Sequence, residues 1–167
     1  AQAHGQGHAM TDLATLNHHF ENMPPVAAMQ IRASGFEADV LSLSAPLAAN
    51  VNDKNCAFGG SMASLMTLAG WGWLTLRLRE AGMEAEVYVA DSDIRYLAPL
   101  YDDLNGQARL REGQDWPAIL RCLAERKRAR VAMLAEMRND AGIPVATLDA
   151  RFALKIVGPM PANETRG

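Results

Sequence analysis

Cysteine is nearly absent from this chain: Cys56 and Cys122 are the only two. Two lone thiols cannot frame a disulfide scaffold and match no zinc spacing, so the chain reads as one suited to a reducing cytoplasm. Excess positive charge is missing too. The formal net charge is −3, which excludes a nucleic-acid surface as the main partner. The short basic run Arg126-Lys127-Arg128 reads as a solvated helix end. No apolar stretch accompanies the polar residues 1–9, so no secretory leader is expected. Residues 1–10 read as a disordered lead, and His4 and His8 among glycines are not expected to bind metal. Beyond that lead there are no repeats, linkers or low-complexity tracts. What remains is a single domain over residues 11–160, long enough to bury a real core, followed by a flexible tail at 161–167.

The most informative absence is charge between Ala57 and Leu76. A run of this length must be buried, in lipid or in protein. Ser61, Ser64, Thr67, Gly70, Gly72 and Thr75 make it only modestly hydrophobic, and its ends lack clustered basic anchors. A membrane span is therefore not expected. The alternative is a helix from about Gly60 to Arg79, apolar on every side and sheathed by protein. Ala81-Gly82 supplies its C-terminal stop. Gly59 and Gly60 at its start let a ligand approach the first helical N–H groups.

Around that helix the pattern is mostly strand. A helix starting near Thr11 ends at Pro24-Pro25. Val26–Ala33 reads as a first strand, Ser34-Gly35 as a turn, and Phe36–Leu43 as a second strand. Asn50–Asn55 is a polar loop whose side chains can bond backbone. Glu84–Leu97 and Leu104–Leu110 read as strands. Trp116–Arg126 reads either as a short helix or as the irregular start of the next strand. Arg130–Arg138 and Ile143–Val157 read as a hairpin turned at Asp140-Ala141-Gly142. This order predicts an α+β fold, an antiparallel sheet wrapped round one long helix, with edge strands that call for a second copy.

The segments Ala45-Pro46-Leu47, Asn50-Val51-Asn52, Ala57-Phe58-Gly59-Gly60-Ser61, Ala69-Gly70-Trp71-Gly72, Asp91-Ser92 and Ile94-Arg95-Tyr96-Leu97-Ala98-Pro99 together resemble the thioesterase family represented by the C-terminal domain of YiiD. The resemblance runs from about Leu13 to Val157. It implies the hotdog fold and a homodimer whose sheets join, with a dimer of dimers left open. It also implies thioester substrates carried on coenzyme A or acyl carrier protein, with no cofactor. A non-catalytic subunit that binds acyl thioesters is the alternative. A hotdog dehydratase would want a His beside an acid near the core helix, and none is there.

Thioester hydrolysis needs a polarised carbonyl, a nucleophilic water and a slot for the acyl chain. The N–H groups of Gly60 and Ser61, at the positive end of the helix, suit the first. Ser61 also reads as a helix cap. No Gly-x-Ser-x-Gly elbow surrounds it or Ser64. For the second, many hotdog thioesterases place an acid about two turns into the core helix. Thr67 stands there, and no carboxylate occurs in the helix before Glu80. Water activation is then left to Asp53, Asp91 or Asn52. Asp91 alternatively pairs with Arg95, and Asn52 alternatively braces its loop. Phe58, Gly59, Thr67 and Tyr96 are the candidate substrate contacts.

Overall fold

The computed structural model describes residues 4–158, with side chains from residue 12. The expected tail at 161–167 and the first three residues of the lead lie outside the described residues. The elements in chain order are α1 (His4–Glu21), α2 (Pro24–Met29), β1 (Arg32–Glu37), β2 (Val40–Ala45), a 3-10 turn (Leu47–Ala49), α3 (Gly59–Glu80), β3 (Ala85–Tyr96), β4 (Leu104–Leu110), α4 (Trp116–Arg126), β5 (Arg128–Arg138) and β6 (Pro144–Ile156). The strands form one six-stranded antiparallel sheet in the order β1-β2-β4-β5-β6-β3. α3 packs against β2, β3, β4, β5 and β6. This is the α+β hotdog arrangement, with α3 as the uncharged rod.

Its sheath is apolar on the inside because the strands alternate. β5 buries Ala129, Val131, Met133, Ala135 and Met137, while the residues between them stay accessible. α3 answers with Leu65, Met66, Ala69 and Leu74, all fully buried. Glycine sets the approach distance. A Cβ on Gly70 would lie 3.0 Å from the Phe152 ring, and one on Gly72 would lie 2.9 Å from Leu41. Helix and sheet are close enough to use the missing methyl groups. At the C-terminal end of α3, the indole of Trp73 meets Trp116 of α4 edge-on at 5.2 Å and donates to the Asp39 carbonyl at 2.9 Å. The open reading of residues 116–126 is thus settled as a helix, capped by the Asp115 side chain on the Ala118 N–H at 3.2 Å.

Three expectations are corrected. Val26–Ala33 is not a strand. Pro24 and Pro25 occupy the first positions of α2, where a missing N–H costs nothing. Only Val26 of that short helix is buried. The first strand begins at Arg32, and it runs straight through Ser34-Gly35 with an irregularity between Ala33 and Gly35. The turn falls instead at Ala38-Asp39, both with positive φ, at 50° and 61°. That is the primed two-residue turn matching the twist of a hairpin. The helix expected to start near Thr11 already spans His4–Glu21.

Candidate active site

The N-terminus of α3 is fixed by backbone bonds on either side of it. Asn50 is buried at 3% exposure. Its Nδ2 donates to the carbonyls of Met29 (2.9 Å) and Pro46 (2.8 Å). The Asn50 carbonyl then accepts the Phe58 N–H at 2.7 Å, and the Ala57 N–H donates to Leu100 O at 2.8 Å. Phe58 is thereby held in extended backbone as the N-cap residue, with no side-chain cap. The helical ladder starts with Met62 N–H to Phe58 O at 3.1 Å. The N–H groups of Gly60 and Ser61 come before it, and no acceptor for either occurs among the described residues. They point out of the positive end of a helix 22 residues long.

The surroundings of that end are aromatic and open. Tyr96, the last residue of β3, lays its ring against Gly59 and donates its hydroxyl to the Gly59 carbonyl at 3.0 Å. The Phe58 ring fills the space a Cβ on Gly60 would need, 2.5 Å away. Phe58 is 56% exposed, Tyr96 55%, and Leu97 and Tyr101 also stand out from the surface nearby in sequence. Large apolar groups in water at one end of a helix signal a surface meant to be covered.

Of the residues singled out from sequence, Phe58, Gly59, Gly60, Ser61 and Tyr96 meet here. Ser61 is buried, in the first turn of α3 and not at its cap. Asn52 lies in the adjoining loop with its amide engaged. Its Oδ1 accepts from the N–H groups of Lys54 (2.8 Å) and Cys56 (3.1 Å), and its Nδ2 lies 3.2 Å from the Cys56 sulfur. Asp53 is exposed and paired with Lys54 at 3.0 Å. Thr67 bonds the Ala63 carbonyl one turn back at 2.8 Å. Asp91 pairs not with Arg95 but with Arg151, its direct cross-strand neighbour on β6, through both carboxylate oxygens. The side-chain bond from Arg151 holds the Asp91 carboxyl below the ordinary Asp value. Arg151 lies on the opposite face of β6 from buried Phe152 and Ala150. In one chain, then, Asp91 faces away from α3, whereas Tyr96 faces toward it.

Asn50 was missed as the residue on which this geometry rests. It stood within the quoted motif, but nothing in an Asn between Pro46 and Gly59 says which carbonyls its amide will find. Among the described residues, no group of three His, Cys, Asp or Glu side chains is placed to hold a metal ion, and no helix is long and apolar enough to cross a membrane.

A sheet wrapped on one helix, with bare N–H groups at the helix start, defines a hotdog thioesterase-type hydrolase. Comparison with known proteins agrees. Residues 13–156 match the family model described as "Putative thioesterase (yiiD_Cterm)", and the chain belongs to that family. A crystal structure described as a putative thioesterase from Shewanella oneidensis is 28% identical, with a TM-score of 0.79 over 89% of this chain and 99% of that one. A protein of unknown function from Chlorobaculum tepidum shares the fold at 24% identity, TM-score 0.81, over 86% and 94% of the two chains. Thioesterase HI1161 from Haemophilus influenzae shares it at 16% identity, TM-score 0.69, over 89% and 93%.

Proposed function

We propose that this protein hydrolyses acyl thioesters, carried on coenzyme A or an acyl carrier protein, at a site that two copies build together. One observation carries the reading. The first turn of α3 offers the unpaired N–H groups of Gly60 and Ser61 beside two residues that lack side chains. The thioester carbonyl oxygen sits on those donors. Water adds to the carbonyl carbon and gives up one proton, the oxygen takes up the electron pair as an oxyanion, and as that pair returns the C–S bond breaks and the sulfur takes the proton, releasing acid and thiol. Donors aimed at that oxyanion contribute about 3–4 kcal/mol in comparable sites.

With no carboxylate in α3 before Glu80, water must be placed from the flanks. Asn52 is our first choice, because it adjoins the helix start and, with its Oδ1 taken up by the Lys54 and Cys56 N–H groups and one N–H of Nδ2 turned to the Cys56 sulfur, its second N–H is left to hold a water oxygen. Asp53 and Asp91 are the ionised alternatives. Support for the pair of copies comes from β3. It is a sheet edge, exposed over most of its length, and it ends at Tyr96 beside the bare helix turn. Antiparallel pairing of two such edges would satisfy their free backbone groups.

The absence of a helix acid favours one second reading, a subunit that binds acyl thioesters without turning them over. Thiol release from coenzyme A thioesters of graded chain length, followed with DTNB, separates the two. Binding without turnover at every length establishes the second reading. Asn52→Ala, Asp53→Ala and Asp91→Ala assign the water. If all three variants keep full turnover, none of these residues activates it.

A further inference from the structure

At the other end of β3 lies a groove of about 1060 Å³ whose walls include Arg126, Lys127, Arg128, Arg130, Lys155 and Tyr88. We infer that this groove binds the phosphates of a phosphorylated nucleotide. On the thioesterase reading, that nucleotide is the one at the end of coenzyme A.

The five cations have no ion pair among the described residues, although Arg130 lies close enough to Asp91 to favour its charged form. Arg138 pairs with Glu136 and Arg151 with Asp91, whereas Arg95 and Arg109 have no ion pair among the described residues, so what marks the groove is five cations gathered along one wall. The chain as a whole is acidic, at −3, so the patch is not a by-product of general basicity. The negative end of α4 explains the placement of Arg126 and Lys127 in part. It does not explain the strand residues. Arg128 and Lys155 stand directly opposite one another in the β5–β6 ladder, a like-charge pairing that works against the sheet. Glu86 faces Lys155 from β3, yet its carboxylate accepts from the Tyr88 hydroxyl at 2.6 Å. One carboxylate opposite Lys155 offsets only part of the charge of five cations along one groove, and an anion from outside the chain would offset the rest. Guanidinium forks and an ammonium group match phosphate oxygens.

The framework is rigid. Lys127 alone joins α4 to β5, in the left-handed conformation with φ 62°. Its carbonyl accepts the Ile156 N–H at 2.9 Å, which ties the corner to β6. Tyr88, 54% exposed, adds an aromatic ring to the wall, a surface on which a base stacks. A concave, aromatic-walled site fits a nucleotide better than the convex acidic face of a carrier protein. Groove and Gly60 lie roughly 26 Å apart along β3 of one chain, at about 3.3 Å per residue. Antiparallel pairing of two β3 edges would bring one copy's groove to the end of the joined sheet where the partner's α3 begins.

The test is calorimetric titration of the full chain with coenzyme A, 3′-dephospho-coenzyme A, ADP and pantetheine. The inference expects coenzyme A to bind most tightly and pantetheine, which has no phosphate, at least tenfold more weakly. Arg128→Gln combined with Lys155→Gln should weaken coenzyme A at least tenfold, and Arg130→Gln alone should weaken it several-fold, with the circular dichroism spectrum retained. Where acyl-coenzyme A is turned over, the double variant should raise KM at least fivefold and change kcat less than twofold. Coenzyme A binding equal in the wild type and all variants overturns the site. ADP binding as tightly as coenzyme A overturns the coenzyme A assignment in favour of a free nucleotide. A carrier protein that needs Arg128 and Lys155 when coenzyme A does not would overturn the nucleotide altogether. The calorimetric arms stand even if no thioester is hydrolysed, so a failure of the hydrolase reading is seen separately.

Discussion

The Tyr96 hydroxyl donates to the Gly59 carbonyl at 3.0 Å, fastening the last residue of an edge strand to the first turn of the central helix. Gly59 has no side chain to keep the ring away, and the ring in turn shields one side of the helix start. Tyr96→Phe removes the bond and keeps the packing. A half-exposed neutral hydrogen bond contributes about 1 kcal/mol, so the urea midpoint should move little. Thioester turnover should fall further than stability, about fivefold to tenfold, because the N–H groups lose their fixed aim. Equal, small losses in both would show that the tether only holds the fold.

Gly60 is the sharper probe. Alanine favours helix over glycine by up to about 1 kcal/mol, but its Cβ would come within 2.5 Å of the Phe58 ring. Phe58 is half exposed and can swing, so Gly60→Ala should fold with a Tm close to that of the native chain. Its new methyl group then sits where the carbonyl must enter, and turnover should drop at least tenfold. Adding Phe58→Ala removes the crowding. A double variant of near-native Tm whose turnover stays low would locate the defect at the oxyanion donors. Full turnover in Gly60→Ala would remove those donors from the mechanism.

Much of this arrangement could be read in the residues. The uncharged run gave α3 almost to its true ends, since no polar face is left for solvent. The strands from Glu84 onward could be read from their alternation and from Gly142, whose φ of 77° closes the β5–β6 hairpin. Residues 24–39 could not. Two adjacent prolines stop a helix or start one equally well, and here they start α2. Ala38 and Asp39 take a conformation that their side chains disfavour, while the better turn former, Gly35, lies inside a strand. At the site, residue types were legible but partners were not. Asp91 finds Arg151 because a bulge between Val89 and Asp91 sets the register, and no local pattern announces that bulge.

That pairing has a pH signature. The side-chain bond from Arg151 lowers the Asp91 pKa from its ordinary value. A carboxyl depressed in the folded state contributes stability above its unfolded pKa, near 3.9, and loses it as pH falls through the lower folded value. The pair is solvent-exposed, so the stability involved is small. The clear measurement is the carboxyl titration itself, followed by NMR. The native chain should titrate Asp91 below the ordinary range, and Arg151→Gln should return the midpoint toward it. Identical midpoints would dissolve the pair in solution. Both Asp91 oxygens are held by Arg151 on the face of the sheet away from α3, which is why Asn52, as a group that orients the water and does not take its proton, stands ahead of Asp91 in the proposed mechanism.

The proposed union of two copies can be tested at Val89. It lies on edge strand β3, next to the bulge, and is 48% exposed in a single chain. Its partner in the sheet, Phe152, is fully buried against α3, so the strand backbone is well supported from within. Val89→Lys places a charge on the free edge, a device by which sheets avoid pairing with one another. If β3 joins β3 of a second copy, sedimentation should show a shift from dimer toward monomer, and thioester turnover should fall by an order of magnitude or more. The far-ultraviolet spectrum should not change, since the native environment of Val89 within one chain is already half water. A monomeric variant with full activity would mean that each chain carries a complete site. A variant that remains dimeric would place the contact on another surface, with exposed Phe58, Leu97 and Tyr101 as the next residues to charge.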